Sequence, residues 1–209
     1  MTEHPDLSPR AARTRAALLS AGFELLVEKP IDAIPIDDFV AKAQVAKGSF
    51  FNHFSDKQAF AEAIATEVRV DLEEQVARAN ARLTDPIERI AGGMRVCALF
   101  AITNPKRAAL LLRSHATSTT RTHPLNKGLV CDFEAAYAQG LLRPEAEHSG
   151  VLFWLGLCQA LMTNLIERRL SGADAERRID DMIVLGLMGL GVAQDHVTEL
   201  VAKGADGSL

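Results

Sequence analysis

The segment Lys47-Gly48-Ser49-Phe50-Phe51-Asn52-His53-Phe54 gathers an amine, a hydroxyl, a carboxamide and an imidazole within eight residues. Set along a short helix, these groups can donate and accept hydrogen bonds to base edges and phosphates in a DNA major groove. Such a helix needs small or polar residues at its start, and Lys47, Gly48 and Ser49 supply them. Val45, Phe50 and Phe54 are apolar at spacings that pin the helix to a core of its own. Lys47, Ser49, Asn52 and His53 are therefore candidates for DNA contact. Just beyond them, Ser55 with Gln58 three residues later reads as a capping box, with Phe54 and Ala59 as its staple. Free N–H groups at that helix start could face a phosphate, and Lys57 would add charge there.

Other reactive groups are weaker leads. Glu145-x-x-His148 has the spacing of two metal ligands on a helix, but a di-metal bundle needs a second copy and further carboxylates, so no metal is expected. Cys97, Cys131 and Cys158 sit in apolar stretches, form no Cys-x-x-Cys, and as buried thiols would be inert; a thiol switch is the lesser reading. The sequence contains no Gly-x-Ser-x-Gly, His-Glu-x-x-His, P-loop or dinucleotide fingerprint, so neither an enzyme nor a cofactor is expected.

The elements that would position these residues are helical throughout, and the fold class is all-α. Ser8 and Pro9 suit the cap and first position of a helix running to about Glu28, and Pro30 stops it. Ile36, Phe39, Val40 and Ala43 mark a short second helix, and Lys47 to about Asn52 a short third. A long helix from about Asp56 to Leu83 would span roughly 42 Å and join two domains. Further helices begin at Asp85-Pro86, Asn104-Pro105, near Pro124, and at Pro144, the last running to Leu170. A final helix extends from Asp174 to Ala202 and holds Gly186, Gly189 and Gly191. Interior glycines are costly in a helix, so close approach of another helix is the natural explanation. Val151 to Ile166 is apolar nearly all round, yet shorter than a membrane span and interrupted by Gly156 and Gln159. A four-helix bundle made by two subunits would satisfy both observations, and the chain is expected to be a homodimer without a membrane partner.

Composition places the chain among soluble globular proteins, with 48% hydrophobic and 24% charged residues, and the polar N-terminus suggests a cytoplasmic protein. A net charge of −4 gives DNA binding no help, and up to Val70 acidic side chains outnumber basic ones by ten to eight. DNA binding rests on the motif. Three helices with a tight turn between the short second and third form a helix-turn-helix pattern. Phe39-Val40, Lys47-Gly48-Ser49, His53-Phe54 and Lys57 resemble the signature of the TetR family of bacterial regulators, over about Arg10 to Val70. Gln44 stands where the family has a turn glycine, and Phe51 where it has a tyrosine whose hydroxyl commonly reaches a phosphate.

The resemblance implies a helix-turn-helix DNA-binding domain at residues 8–55, continuing into the linking helix to about 70, and a helical ligand-binding and dimerisation domain at 71–203. It implies double-stranded DNA with a pseudo-palindromic operator, and a small-molecule effector, as partners. Its DNA-facing residues would be Lys47, Gly48, Ser49, Phe51, Asn52, His53 and Lys57. An effector pocket would draw on Met94, Cys97, Phe100, His115, Phe133, Tyr137, Trp154 and Cys158, bulky or polarisable residues on apolar faces. Few charges lie on those faces, so the effector is expected to be mostly apolar with one or two polar groups. The reading is a repressor released by its ligand; the alternative is a helical binding or scaffold protein that has lost DNA binding.

Overall fold

Proline and a capping side chain set where several helices begin. Ser8 Oγ accepts from Ala11 N at 3.3 Å and Asp85 Oδ1 from Ile87 N at 2.9 Å, with Pro9 and Pro86 at the first helical positions. The computed structural model describes residues 8–114 and 119–206, and among these it contains α-helices and short 3-10 turns but no strand. The helices are α1 Pro9–Leu26, α2 Ile36–Lys42, α3 Lys47–Phe51, α4 Lys57–Ala79, α5 Pro86–Thr103, α6 Pro105–Leu112, α7 Lys127–Ala138, α8 Ala146–Arg168, α9 Gly172–Gly189 and α10 Gln194–Asp206. Single 3-10 turns precede α2, at Ile31–Ala33, and α7, at Pro124–Asn126.

Three expectations about the long helix are corrected. The cap of the long helix is Asp56, whose Oδ1 accepts from Ala59 N at 2.8 Å; Ser55 donates to Asp56 at 3.1 Å instead of capping. Gln58 does not close a capping box; it reaches Asp32 Oδ1 at 3.1 Å. The helix ends at Ala79, and its 23 residues span about 35 Å, not the longer reach to Leu83.

The expected final helix is two helices. Gly191 at φ +88 ends α9, and Val192 N bonds back to Leu187 O at 3.1 Å before α10 begins. Its glycines have causes within the subunit. A Cβ on Gly186 would lie 2.6 Å from the Trp154 ring, and one on Gly191 2.9 Å from Arg143 Cβ. The close approach inferred from these glycines is that of α8 and the segment before it in the same chain.

The buried residues form two clusters. One gathers Leu18, Phe39, Phe50, Phe60, Ile64 and Leu72 of α1–α4 with Phe100 of α5, Leu111 of α6 and Met162 of α8. The other joins α5 and α7–α10 around Ile87, Met94, Phe133, Trp154, Ile183 and Leu187. The apolar core beneath the short N-terminal helices thus runs on past residue 70, and α4 is built into it for most of its length.

Candidate DNA-binding surface and effector cavity

The turn between α2 and α3 is a helix C-cap of Schellman type. Val45 N donates to Val40 O at 3.0 Å and Gln44 N to Ala41 O at 3.1 Å. That pattern requires a left-handed residue, and Gln44 adopts φ +56. A glutamine there does the work usually given to glycine, at a cost of roughly 1 kcal/mol.

Beneath α3, Phe50 is fully buried and packs edge-on against Phe60 at 5.1 Å between ring centroids. Phe54 lies 4.8 Å from Phe60, so three rings fasten the short helix to α4. The opposite face is open: Lys47, Gly48, Phe51 and Asn52 are exposed, and Ser49 and His53 half-buried. A side chain at Gly48 would meet nothing within 4 Å. Phe51 is 53% exposed although it is a large apolar residue, held by an edge contact to Phe50.

Lys47 is not idle: its Nζ lies 2.8 Å from Asp37 Oδ1, across the turn on α2. Lys57 is committed more deeply. Its Nζ donates to Ile31 O at 3.2 Å, Asp32 O at 3.3 Å and Ile34 O at 3.1 Å, gathering the carbonyls of the 3-10 turn ahead of α2. An ammonium has three donors, and all of them are spent inside the domain. The structure gives Lys57 a positioning role that its place in the motif did not reveal.

A cavity of about 140 Å³ lies between α4, α5, α6, α7 and α8. Of the residues named for an effector pocket, Cys97, Trp154 and Cys158 line it. Met94, Phe100, Phe133 and Tyr137 do not. Met94 is fully buried in the α5–α10 core, Phe100 packs toward α4 and α6 under Arg107, and Phe133 lies against Gly150. Tyr137 hydrogen-bonds Glu147, which raises its hydroxyl pKa. These four were expected at the pocket because bulk on an apolar face does not distinguish core from cavity. His115 lies outside the described residues.

Sequence reasoning missed the polar wall. Arg69 and Glu73 come from one face of α4 and Asn80 from its C-cap, joined by Arg89 of α5, Asp132 of α7 and Gln159 of α8. Arg89 donates to Asp132 Oδ1 at 2.6 Å and to Asn80 O at 3.1 Å, bracing the end of α4 against α5 and α7. Arg69, only 8% exposed, pairs with Glu73 at 2.5 Å and donates to Asn126 Oδ1 at 2.9 Å. Burial raises the Glu73 pKa, against the pull of Arg69. The Cys158 thiol donates to Cys97, which holds the pKa of Cys97 down and pushes that of Cys158 up.

On the far side, α8 and α9 leave an apolar face uncovered. Leu152, Phe153, Leu185 and Met188 are exposed, with Leu185 at 67%, and Gly156, Ala160 and Gly189 lie open beside them. By length and composition α8 could cross a membrane. Its other side, Trp154, Leu155, Cys158, Leu161 and Met162, is packed into this subunit.

Residues 18–64 match the model of the bacterial regulatory proteins of the tetR family. The repressor DhaR of Mycobacterium sp. (strain GP1) is 36% identical over 67 residues, 31% of this chain and 34% of DhaR. AcuR of Cereibacter sphaeroides is 36% identical over 56 residues, 27% of this chain and 26% of AcuR. The matched segment thus spans between a quarter and a third of these curated relatives. Among solved structures, RolR in complex with resorcinol superposes with a TM-score of 0.65 at 18% identity, over 93% of this chain and 96% of that one. AibR in complex with isovaleryl coenzyme A and operator DNA gives 0.56 at 22% identity, over 83% and 97%. At such identities the likeness speaks for the fold, which extends the match from the helix-turn-helix through the helical remainder. Residues 18–64 are thus similar to the bacterial regulatory proteins of the tetR family, and the chain shares the fold of these solved structures.

Proposed function

We propose that the chain is a ligand-responsive, DNA-binding transcriptional regulator: a homodimeric, cytoplasmic repressor, without enzymatic activity, released from a pseudo-palindromic operator by a small molecule. The observation that carries this reading is Gly48. A glycine inside a helix costs up to about 1 kcal/mol against alanine. Nothing in the subunit needs the space, because no atom lies within 4 Å of where a Cβ would stand. The missing side chain is explained by a surface approaching from outside, and the neighbours facing that way are Lys47, Ser49, Phe51, Asn52 and His53. Lys57 serves by holding the 3-10 turn from which α2 starts.

Residues 8–55, with the start of α4, act as the DNA-binding unit, and residues 71–203 as the effector and dimerisation unit. A second copy of the chain covers the apolar face of α8 and α9, setting two recognition helices at the spacing of two operator half-sites, about 34 Å or a multiple of it. RolR and AibR, each seen with a small molecule, support a similar use of the cavity between α4 and α8.

A gel-shift titration of the full chain against the DNA flanking its own gene tests the reading. The parent should bind a discrete site. Gly48→Ala should be as stable as the parent or more so, and bind that site at least tenfold more weakly. An unchanged affinity would remove the argument from Gly48. One observation favours the scaffold alternative, the Asp37 carboxylate held on Lys47. That alternative predicts no shift with any flanking DNA.

A further inference from the structure

The cavity's charged wall narrows the class of effector, on the reading of the cavity as the effector site. Two guanidinium groups border it, and they differ in what they have left to offer. Arg89 is taken up by Asp132 and by the carbonyls of Asn80 and Leu83. Arg69 is not. Its Nη2 serves Glu73 and Asn126, while its Nε, in a side chain nine-tenths buried, has no hydrogen-bond partner among the described residues. A buried charged donor left unpaired is costly, and the Nε–Nη edge of a guanidinium is shaped for the two oxygens of a carboxylate. Glu73 engages that edge at Nη2 alone, and burial disfavours its ionised form. Glu73 is thus a poor occupant that a better carboxylate could displace.

The rest of the wall limits what that carboxylate is attached to. Leu72, Val76, Leu129, Leu155, Met162 and the Trp154 ring give the cavity an apolar lining. The thiols of Cys97 and Cys158 are satisfied by each other. A volume of about 140 Å³ is close to that of an apolar cavity of about 150 Å³ that admits benzene. We propose that the effector is a small monocarboxylic acid, its apolar body about the size of one ring, whose carboxylate takes the Nε–Nη edge of Arg69 in place of Glu73.

Isothermal titration calorimetry on the full chain tests this with benzoate and cyclohexanecarboxylate against the neutral probes benzamide and benzyl alcohol. One or both acids should bind at least tenfold more tightly than their neutral counterparts. Glu73→Gln keeps an acceptor for Arg69 but removes the competing charge, and should tighten the acid about tenfold. Arg69→Lys loses the planar fork and should weaken it by tenfold or more. Circular dichroism checks that the variants fold; if Arg69→Lys does not, the acid/neutral comparison and Glu73→Gln still decide.

Neutral probes binding as tightly as the acids, no binding by either acid, or an acid indifferent to Glu73→Gln would overturn the proposal. Operator affinity measured beside each titration separates this inference from the function. A neutral molecule that binds the cavity and releases operator overturns the carboxylate site and leaves the regulator standing. An acid that binds through Arg69 without changing operator affinity upholds the site and overturns its role in release.

Discussion

Replacing Lys57 by methionine distinguishes a residue that touches DNA from one that shapes the domain that does. Methionine keeps most of the side chain's length and apolar contact but withdraws the ammonium from Ile31 O, Asp32 O and Ile34 O. Hydrogen bonds to a charged group contribute about 1.5–3 kcal/mol each when short and dry. These three are long, at 3.1–3.3 Å, and share one partly exposed ammonium, so their joint contribution is nearer the lower figure than its triple. A loss of roughly 2–3 kcal/mol follows, or about 4–12 °C in Tm for a chain of this length. Denaturant titration and thermal melting at fixed protein concentration read the stability, and operator affinity against salt reads the charge. A lysine bound to a phosphate would give up about one unit of salt slope when removed. The structure predicts a lower Tm, weaker operator binding and a slope that falls by much less than one unit. A full unit of lost slope with an unchanged Tm would refute the positioning role and return Lys57 to the phosphate backbone.

Gln44→Gly should stabilise the chain by about 1 kcal/mol, since Gln44 stands at φ +56 in a cap that favours glycine, whereas Gln44→Val should destabilise it; denaturant midpoints check both. Asp37→Asn should free Lys47 and remove a negative charge beside the DNA, raising operator affinity severalfold with little change in Tm, by gel shift and melting. Leu185→Glu alters a side chain 67% exposed in the single subunit, so the fold should survive while the dimer dissociates, as sedimentation would read. A dimer that persists would move the interface away from α9.

Helix starts were legible because their signals are local. Ser8-Pro9, Asp85-Pro86 and Asn104-Pro105 each set a first turn within a few residues of chain. Where two cappers stand side by side, local chemistry does not choose between them. Asp56 prevails over Ser55 because its backbone is extended at φ −159 and its carboxylate reaches Ala59 N, leaving Gln58 to bond Asp32 from a distant turn. Helix α3 was legible for the same reason, its polar residues and aromatic anchors lying within eight positions. Lys57 was harder, since its partners are 23 to 26 residues away in sequence. The cavity was least legible. Arg69 and Glu73 look like an ordinary i,i+4 surface pair, and only the packing of α5 and of the 3-10 turn before α7 against α4 turns them inward. A faint signal existed in the apolar stripe Ile64, Val68, Leu72, Val76, whose flank they occupy.

That placement suggests how the two ends of the molecule communicate. The N-terminal turn of α4 holds the 3-10 turn ahead of α2 through Lys57 and helix α3 through Phe60, which packs on Phe50 and Phe54. Arg69 follows twelve residues after Lys57 on the same helix, about 18 Å along it. Two residues beyond Arg69, Asp71 is bound to Arg107 of α6 at 2.9 Å, while Arg89 clamps the far end of α4 to α5 and α7. A ligand that displaced Glu73 from Arg69 would act on either side of the Asp71 clamp. It can shift the helix only by as much as its affinity differs between the two positions, and a hundredfold loss of operator affinity needs about 2.7 kcal/mol of such difference. A charge-assisted hydrogen bond made in one position of the helix and absent in the other is of that size. If α4 is the lever, Arg107→Ala, which unties α6 without touching cavity or DNA, should alter the coupling between ligand and operator more than it alters either affinity alone. A complete binding square on that variant, with ligand and operator each titrated in the presence of the other, measures the coupling. Coupling equal to the parent's would place the transmission outside the α4–α6 contact.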